Sequence, residues 1–452
     1  MRESVKHDLF ILTGGPGTGK TTTLSSILRA HQLQFNYPKD DKLRPIMLLA
    51  PTGKAATRMM EQTGMYASTI HKQLMIIHDG CRDIKYVLDQ FEENDTRLIV
   101  IDEASMLDTV IAGTIFQIIN QAKRNLKLII VGDQNQLPSI GPGQILKDLL
   151  QHHKHVVTLT EVKRQAEDSN IIELAYLIGQ GTFPDKDWFK DKDDIFLVKS
   201  NGSQQMLQQT RTMLQRRQKS NDLDQFQILT PYVNQSRQAK FSKNLIDYDT
   251  CDMINHYTQE FFNSPYYDPN NINNEELKRL KDLGVNDGKS DANIKRFVNN
   301  GTKVNGVRNQ GRLFRIGDRV VCTRNINQSI ANGSMGTLRQ IGTHGSDDIK
   351  NWVFLIQFDG VDDLTEFEFQ NWSDIELAYA ITIHKSQGSE YKNVFLTLTR
   401  PPRPNDTFLN RNILYTAVTR TEKTLVLMGQ HHDFVQAAIN KQPERKTGLA
   451  EM

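Results

Sequence analysis

Cysteine is nearly absent from this 452-residue chain: Cys81, Cys251 and Cys322 stand far apart, in no paired spacing. That excludes a disulfide framework or a zinc knuckle as the source of stability and fits a reducing compartment. Long apolar runs are missing too. The opening MRESVKHDLF has no extended hydrophobic segment, and no stretch approaches the roughly 18 apolar residues of a membrane span. The expectation is a soluble, cytoplasmic protein with no membrane partner. Nor is there an excess of charge, since 55 Lys+Arg against 53 Asp+Glu leave a formal +2. This balance excludes a blanket affinity for polyanions but leaves room for a narrow basic channel.

What is present suffices for a sizeable core: 38% of the residues are hydrophobic, and the length suits about three domains. LFILT (9–13), PIMLLA (45–50), RLIVID (97–102) and LKLIIVGD (126–133) are short, near-continuous apolar runs separated by helical patterns. Strands buried on both faces read this way, so a parallel α/β sheet is expected. MIIHDGCRDIKYVL (75–88) sets two apolar pieces around Asp79-Gly80, a turn-forming dipeptide; a small hairpin and a surface loop both remain open. SQQMLQQTRTMLQRRQKS (203–220) has a helical pattern with Met206, Leu207, Met213 and Leu214 on its apolar side. Its Arg211, Arg216, Arg217 and Lys219 read better as a solvated face than as phosphate ligands. FQILTPY (226–232) is a further buried strand, and residues 263 to 310 read as a long irregular connection. DRVVCTRN (318–325), GTLRQIG (336–342), WVFLIQFDG (352–360) and TEFEF (365–369) suggest a small inserted β-barrel, after which ELAYAITI (376–383) and NVFLTL (393–398) resume the α/β pattern. HHKH (152–155) and HH (431–432) have no acidic or cysteine partner at ligand spacing and read as polar helix ends, not metal sites.

GGPGTGKT (14–21), between a strand and a helix, matches a phosphate-binding loop. Its glycines let backbone N–H groups close around phosphates, and the helix N-terminus adds partial positive charge. Gly15, Gly17, Thr18, Gly19, Lys20, Thr21 and Thr22 form the cradle, with Lys20 for the terminal phosphates and Thr21 for Mg²⁺. Such a loop needs a carboxylate at the end of a neighbouring strand. In IVIDEAS (99–105), Asp102 is placed to complete the Mg²⁺ shell and Glu103 to activate the attacking water. In VGDQNQLPSIGPG (131–143), Gln136 can contact the γ-phosphate or that water. Arg164 and Arg420 are the two candidates for the arginine that neutralises transition-state charge.

The ordered set GGPGTGKTTT, LLAPTGKAATRM (48–59), STIHKQL (68–74), VIDEASMLD (100–108), GDQNQLPSIGPG, LTEVKRQ (159–165), AYAITIHKSQGSEY (378–391) and LYTAVTR (414–420) resembles superfamily 1 helicases, and more closely the RecD-like DNA helicases of the 5′ to 3′ branch. FRIGDRVVCTRN with ANGSMGTL (331–338) is similar to that family's SH3-like insert, and INHYTQEFFNSP (254–265) to the helix before it. The resemblance implies an α/β fold of two RecA-like P-loop domains, at 1–162 and at 163–265 with 376–452. It implies a β-hairpin insert in the first (75–92, the candidate strand-separating pin), and an irregular connection with an SH3-like β-barrel insert at 266–375. It implies ATP and Mg²⁺ as cofactors, hydrolysis between the two domains, and movement along single-stranded DNA up to duplex junctions. A monomer suffices, within a recombination, repair or replication complex. Thr52, Lys54, Thr69, His71, Asn332, Gly333, Thr382 and His384 match positions that line the DNA path. Small hydroxyls, imidazoles and loop amides of this kind hold phosphates without a large net charge. Gly388 and Glu390 match the nucleotide side, where Glu390 accepts from the ribose hydroxyl.

Two departures stand out. Relatives carry a glutamine some twenty residues before the loop, which reads adenine, and many carry a further N-terminal domain; here thirteen residues precede Gly14, none of them glutamine. Lys163 replaces the aromatic that often precedes the arginine at the position of Arg164. Two other readings stay open: an RNA helicase, or a nucleotide-gated DNA-binding subunit or fragment with weak hydrolysis. From the missing glutamine the expectation is weakened discrimination among nucleoside triphosphates. Hydrolysis rates with ATP and GTP check it, and a steep preference for ATP overturns it.

Overall fold

The computed structural model describes residues 2–35, 44–77, 80–161, 169–219, 226–232, 251, 254–255, 258–259, 307–309, 312–327, 330, 332–342, 353–398, 408–443 and 445. Two compact units divide the chain: Met1–Lys199 with Ser386–Met452, and Ser200–Lys385. No helix among the described residues is long and apolar enough to cross a membrane.

The first unit opens with helix α1 (Arg2–Lys6), strand β1 (Leu9–Gly14), α2 (Lys20–Phe35), β2 (Ile46–Ala50), α3 (Gly53–Thr63), β3 (Ala67–Thr69) and α4 (Ile70–Gln73). β4 (Ile76–Ile77), β5 (Gly80–Cys81), α5 (Ile84–Glu93), β6 (Leu98–Ile101), α6 (Thr109–Gln121), β7 (Lys127–Gly132), α7 (Ile145–His152), β8 (Val156–Leu159), α8 (Asn170–Gln180) and β9 (Ile195–Lys199) follow. Six strands form one sheet in the order β3-β2-β6-β7-β1-β8, with every neighbouring pair parallel. The continuous apolar runs feed two cores at once. Ile11, Ile99, Ile101, Leu128 and Ile130 pack on one face, under α5, α6 and α7. Phe10, Leu12, Leu98, Val100, Ile129 and Val131 pack on the other, under α2 and α3. Alternation across a strand buried on both sides requires this division. β7 lies between β1 and β6 in the sheet, so the strand that delivers Asp102 is one removed from the phosphate-loop strand rather than its immediate neighbour.

The excursion at 75–92 divides differently from its apolar pattern. β4 and β5 pair antiparallel, giving a hairpin of two-residue strands, while Asp79 lies outside the described residues. The second apolar piece is helix α5, not a strand. Asp83 caps it, accepting from Tyr86 N at 2.9 Å. Ile84, Val87, Leu88 and Phe91 turn one stripe to the core, and the helical period outweighs the local β-propensity.

The second unit holds α9 (Ser203–Lys219), β10 (Phe226–Thr230), β11 (Val307–Asn309), β12 (Arg312–Phe314), β13 (Arg319–Cys322), β14 (Met335–Gly342), β15 (Val353–Phe358), β16 (Leu364–Glu368), β17 (Ile375–Leu377) and β18 (Ala380–Thr382). Met206 and Leu207 are buried on α9 while Arg211 faces solvent. Residues 260–306 lie outside the described residues, and 307–309 form a ribbon with β12. β16-β15-β14-β13-β17 is an antiparallel sheet around Phe314, Phe354, Phe358, Phe367 and Trp372. Its base is a buried polar knot. Asp318 accepts from Gln259 Nε2 at 2.6 Å, Arg315 N at 2.7 Å and Tyr379 OH at 3.1 Å. Asn255 bonds both ways with the Ala380 backbone, at 2.8 and 2.7 Å. The asparagine and glutamine of INHYTQ therefore tie this segment to the sheet and to β18, which pairs parallel with β10.

The first unit closes with β19 (Tyr391–Leu398), α10 (Arg411–Val418), β20 (Thr421–Gly429) and α11 (His431–Ile439). β19 pairs with β20 and β20 with β9, all parallel. Near the start of this unit, His31 on α2 is wholly buried and its Nε2 donates to Ser4 O at 3.2 Å. Nδ1 is buried without a hydrogen-bond partner. Burial, with Lys127 nearby, lowers its pKa to about 4, so the folded state holds the neutral ring. This group's contribution is complete above the unfolded value near 6.5 and is lost as pH falls toward 4. Melting temperature against pH should fall over that window, with up to about 3 kcal/mol lost, and His31→Gln should flatten the slope.

Candidate nucleotide site

Strand β1 ends at Gly14, and the chain turns back over its own end before α2 begins at Lys20. Gly17 and Gly19 take left-handed backbone angles, φ +70° and +80°, which aim successive N–H groups inward. A Cβ at Gly14 would lie 2.7 Å from Thr18 Oγ1 and 2.9 Å from Leu159 O. Lys20 Nζ crosses the loop, donating to Gly14 O at 2.6 Å and Gly15 O at 2.9 Å. This ammonium lies over the mouth of a cleft of about 630 Å³ lined by Gly15, Gly17, Gly19, Thr21, Thr22, Asp102, Glu103, Gln136, Gly388, Glu390 and Arg420 among others. Of the expected nucleotide residues that are described, only Thr18 is not on that wall. Thr18 is buried within the loop, its hydroxyl donating to Gly15 O at 2.8 Å; Arg164 and Lys163 lie outside the described residues.

Glu103 sits just beyond β6 in a left-handed conformation, φ +52°, a costly backbone for a residue with a side chain. Oriented to satisfy both neighbours, the Gln136 amide donates to Glu103 Oε2 and accepts from Arg420 Nη2, each at 3.2 Å. Carboxylate, amide and guanidinium thus form one chain across the cleft. Arg420 is 2% exposed and is aimed by its own bonds to Ser389 O at 3.2 Å and Thr416 O at 3.3 Å. Asp102 keeps a little solvent contact yet is packed round by protein. Burial, then the Glu103 charge, pushes its carboxyl up to about 6, against the pull of Lys20. A carboxylate so under-compensated suits a divalent cation, and the Thr21 hydroxyl on the same wall supplies a second hard oxygen donor.

Asp133, directly after β7, belongs to this site although its type and position alone did not single it out. It is 2% exposed and accepts from Tyr415 OH at 2.7 Å and Asn135 N at 3.0 Å. Burial raises its carboxyl pKa and, with the Asp133 charge, raises that of Tyr415. Around it, Leu137 N donates to Thr416 Oγ1 at 2.8 Å, Gln387 Nε2 to Leu137 O at 3.1 Å, and Asn412 Nδ2 to Asn135 O and Gln136 O at 3.0 and 3.1 Å. Asp133 is legible only as a strand-end carboxylate. The others carry no local signal, because each partner lies some 250 residues away or more.

The residues expected at nucleic acid are placed with ordinary structural partners as well. Thr52 and Thr69 cap α3 and α4, accepting from Ala55 N at 3.2 Å and Lys72 N at 3.3 Å. Lys54 Nζ lies 4.8 Å above the Tyr391 ring, and His71 is exposed. Gly388, φ +73°, approaches Thr52 so closely that a Cβ would lie 2.8 Å from its hydroxyl. Glu390 pairs with Arg58 at 2.5 Å. In the second unit, Thr382 Oγ1 accepts from Lys385 N at 3.3 Å, and burial lowers the His384 pKa. Asn332 N donates to Asn325 Oδ1 and Gly333 N to Cys322 O, each at 2.8 Å. Among the described residues one cluster gathers metal-type donors, Glu3, His7 and His155, so HHKH does acquire an acidic neighbour, from α1. The His7 and His155 rings stack at 3.4 Å and 12°. His7 Nε2 is already engaged with Glu3 Oε2 at 3.1 Å. His431 Nε2 donates to Pro184 O at 2.8 Å.

Tyr415→Phe keeps the ring and removes the hydroxyl, leaving one Asp133 oxygen without its donor. The expected loss is about 1–3 kcal/mol of stability, measured by chemical denaturation; an unchanged midpoint would show that water replaces the bond at no cost.

A profile described as an AAA domain matches residues 2–200, and one described as a UvrD-like helicase C-terminal domain matches 377–428. The ATP-dependent RecD2 DNA helicase of Deinococcus radiodurans is 29% identical over 449 residues, covering 98% of this chain and 50% of that protein. The RecBCD enzyme subunit RecD of Haemophilus influenzae is 26% identical over 505 residues, covering 99% and 71%. A solved structure of Bacteroides Pif1 bound to ssDNA aligns at a TM-score of 0.48 and 18% identity, covering 94% of this chain and 91% of that one. The chain spans half or less of the first two curated relatives it matches, 50% and 39% of their lengths. Over almost its whole length the chain is thus similar to proteins named RecD2 and RecD, at 29% and 26% identity.

Proposed function

We propose that this chain hydrolyses ATP and uses the cycle to move along single-stranded DNA and to separate duplex at junctions. The observation that carries the reading is the Glu103–Gln136–Arg420 chain facing the phosphate loop across one cleft. A pure binding site has no need of a base, a water-orienting amide and a buried arginine in line. The loop amides and the N-terminus of the 16-residue α2 hold the phosphates, and Lys20 exchanges loop carbonyls for phosphate oxygens. Thr21 and Asp102 would hold Mg²⁺, which when bound neutralises phosphate charge. Gln136 orients the attacking water and Glu103 takes its proton as the new O–P bond forms. The bond from the γ-phosphorus to the bridging oxygen breaks, ADP leaves, and Arg420 stabilises the charge that builds up on the transferred group.

Two RecA-like halves, 1–162 and 163–265 with 376–452, with the insert at 266–375, are the organisation this function uses. Thr52, Lys54, Thr69 and His71 in the first unit, and Asn332, Gly333, Thr382 and His384 in the second, are the proposed phosphate contacts. Movement is 5′ to 3′, and the hairpin at β4–β5 is the proposed pin. A monomer suffices for the motor, and its setting is a recombination, repair or replication complex. The similarity of 98% of this chain to half of an ATP-dependent DNA helicase supports DNA as the track.

Steady-state ATP hydrolysis with and without single-stranded DNA and RNA tests this. Stimulation by DNA is expected, with Lys20→Ala and Glu103→Gln each lowering kcat at least about 100-fold. Stimulation by RNA alone would move the reading to RNA, and no hydrolysis on any nucleic acid would reduce the chain to a binding subunit.

A further inference from the structure

The loop that carries Gln136 does not end there. It continues as LPSIGPG (137–143) out to Ile140, which is 87% exposed, and returns to α7. One side chain from about 300 residues later holds the return. Arg445 Nη1 donates to Gly141 O at 2.7 Å, Gly143 O at 2.8 Å and Ser139 Oγ at 3.3 Å, and Nη2 donates to Ser139 O at 2.9 Å. Gln144 Nε2 donates back to Arg445 O at 3.2 Å. A planar guanidinium suits this task, since its fixed fork serves several acceptors at once and its charge strengthens each bond.

The two ends of the loop are therefore fixed by different means. The upstream end is continuous with β7 and anchored by buried Asp133. Beyond the bonds that hold Leu137 to Thr416 and Gln387, Ser139 Oγ donates to Gly141 O at 3.0 Å and Thr109 N and Oγ1 donate to Pro142 O at 2.9 and 3.0 Å at the downstream end. Three backbone carbonyls there take a donor from Arg445. Gln136 lies three residues before Ser139, between Glu103 and Arg420, where its usefulness depends on geometry alone.

We propose that Arg445 is a positioning residue for ATP hydrolysis: by clasping carbonyls 139–143 it fixes the loop on which Gln136 meets the attacking water. This rests on the hydrolysis reading above. Arg445 is not on the wall of the nucleotide cleft, so its removal is expected to leave nucleotide binding in place and to loosen the alignment of Gln136. A small misplacement of such a group lowers the rate of the chemical step more than it weakens binding.

The test is a cycle of DNA-stimulated ATP hydrolysis in the full chain with Arg445→Ala, Gln136→Ala and the two combined. Arg445→Ala should lower kcat about tenfold and leave the KM for ATP within about twofold. Arg445→Lys, whose point charge reaches fewer of the acceptors, should restore part of the rate. On the Gln136→Ala background the same change should cost less than about twofold, because the group it positions is gone. A full tenfold loss on that background, or no loss in the parent, overturns the role. Should Arg445→Ala fail to fold, as thermal melting would report, Arg445→Lys carries the same cycle. If the unsubstituted chain hydrolyses no ATP, the function reading itself falls and takes the role with it; unaffected hydrolysis in Arg445→Ala overturns the role alone.

Discussion

Asp133, Gln136 and Leu137 cannot be buried where they are unless Gln387 and the helix at Arg411–Val418 are folded over them. Buried peptide groups and a buried carboxylate need partners, and here the partners are Gln387, Asn412, Tyr415 and Thr416. Everything nearer the phosphate loop depends on this closure. Gln136 is held in the gap between Glu103 and Arg420 by main-chain bonds on both sides of it. Glu103, on one side of that gap, holds a left-handed backbone.

Two carboxylates at adjacent strand ends show how surroundings separate roles. Asp133 is raised by burial but has a phenol and an amide as donors, and its charge serves to hold the loop. Asp102 accepts from Glu103 N at 2.8 Å, and burial beside the Glu103 charge leaves it up at about 6. The first has a side-chain donor in the fold; the second is the one whose surroundings suit a divalent cation. The difference lies in the neighbours each strand end acquires, since both side chains are the same.

Much of this arrangement was legible because it is local. The doubly buried strands declare themselves as unbroken apolar runs, and the phosphate loop, Asp102, Glu103 and Gln136 occupy short motifs at fixed offsets from strand ends. Thr52 and Thr69 are less clear-cut, because a hydroxyl before a helix is also what capping requires, and both do cap. The piece IKYVL was ambiguous for a different reason: five apolar-rich residues fit either period, and Asp83 at the cap decides for helix. Strand order was out of reach, since β7 between β1 and β6 follows from crossover connections that leave no mark in composition. So were Tyr415 and Asp133, and the approach of Glu3 and His7 to His155, all set by chain segments distant in sequence.

The position of Arg420 also has a consequence for how the protein comes into being. Translation delivers the phosphate loop and the six-stranded sheet early, whereas the base, the amide and the arginine become one chain of contacts only after some 400 residues have been made. A polypeptide that ends before residue 412 therefore has the phosphate loop without the Tyr415, Asn412 and Thr416 side chains that bond to Asp133, Asn135 and Leu137. The contact between Asp133 and Tyr415 closes a loop of nearly three hundred residues, and a closure of that length costs chain entropy before any contact offsets it.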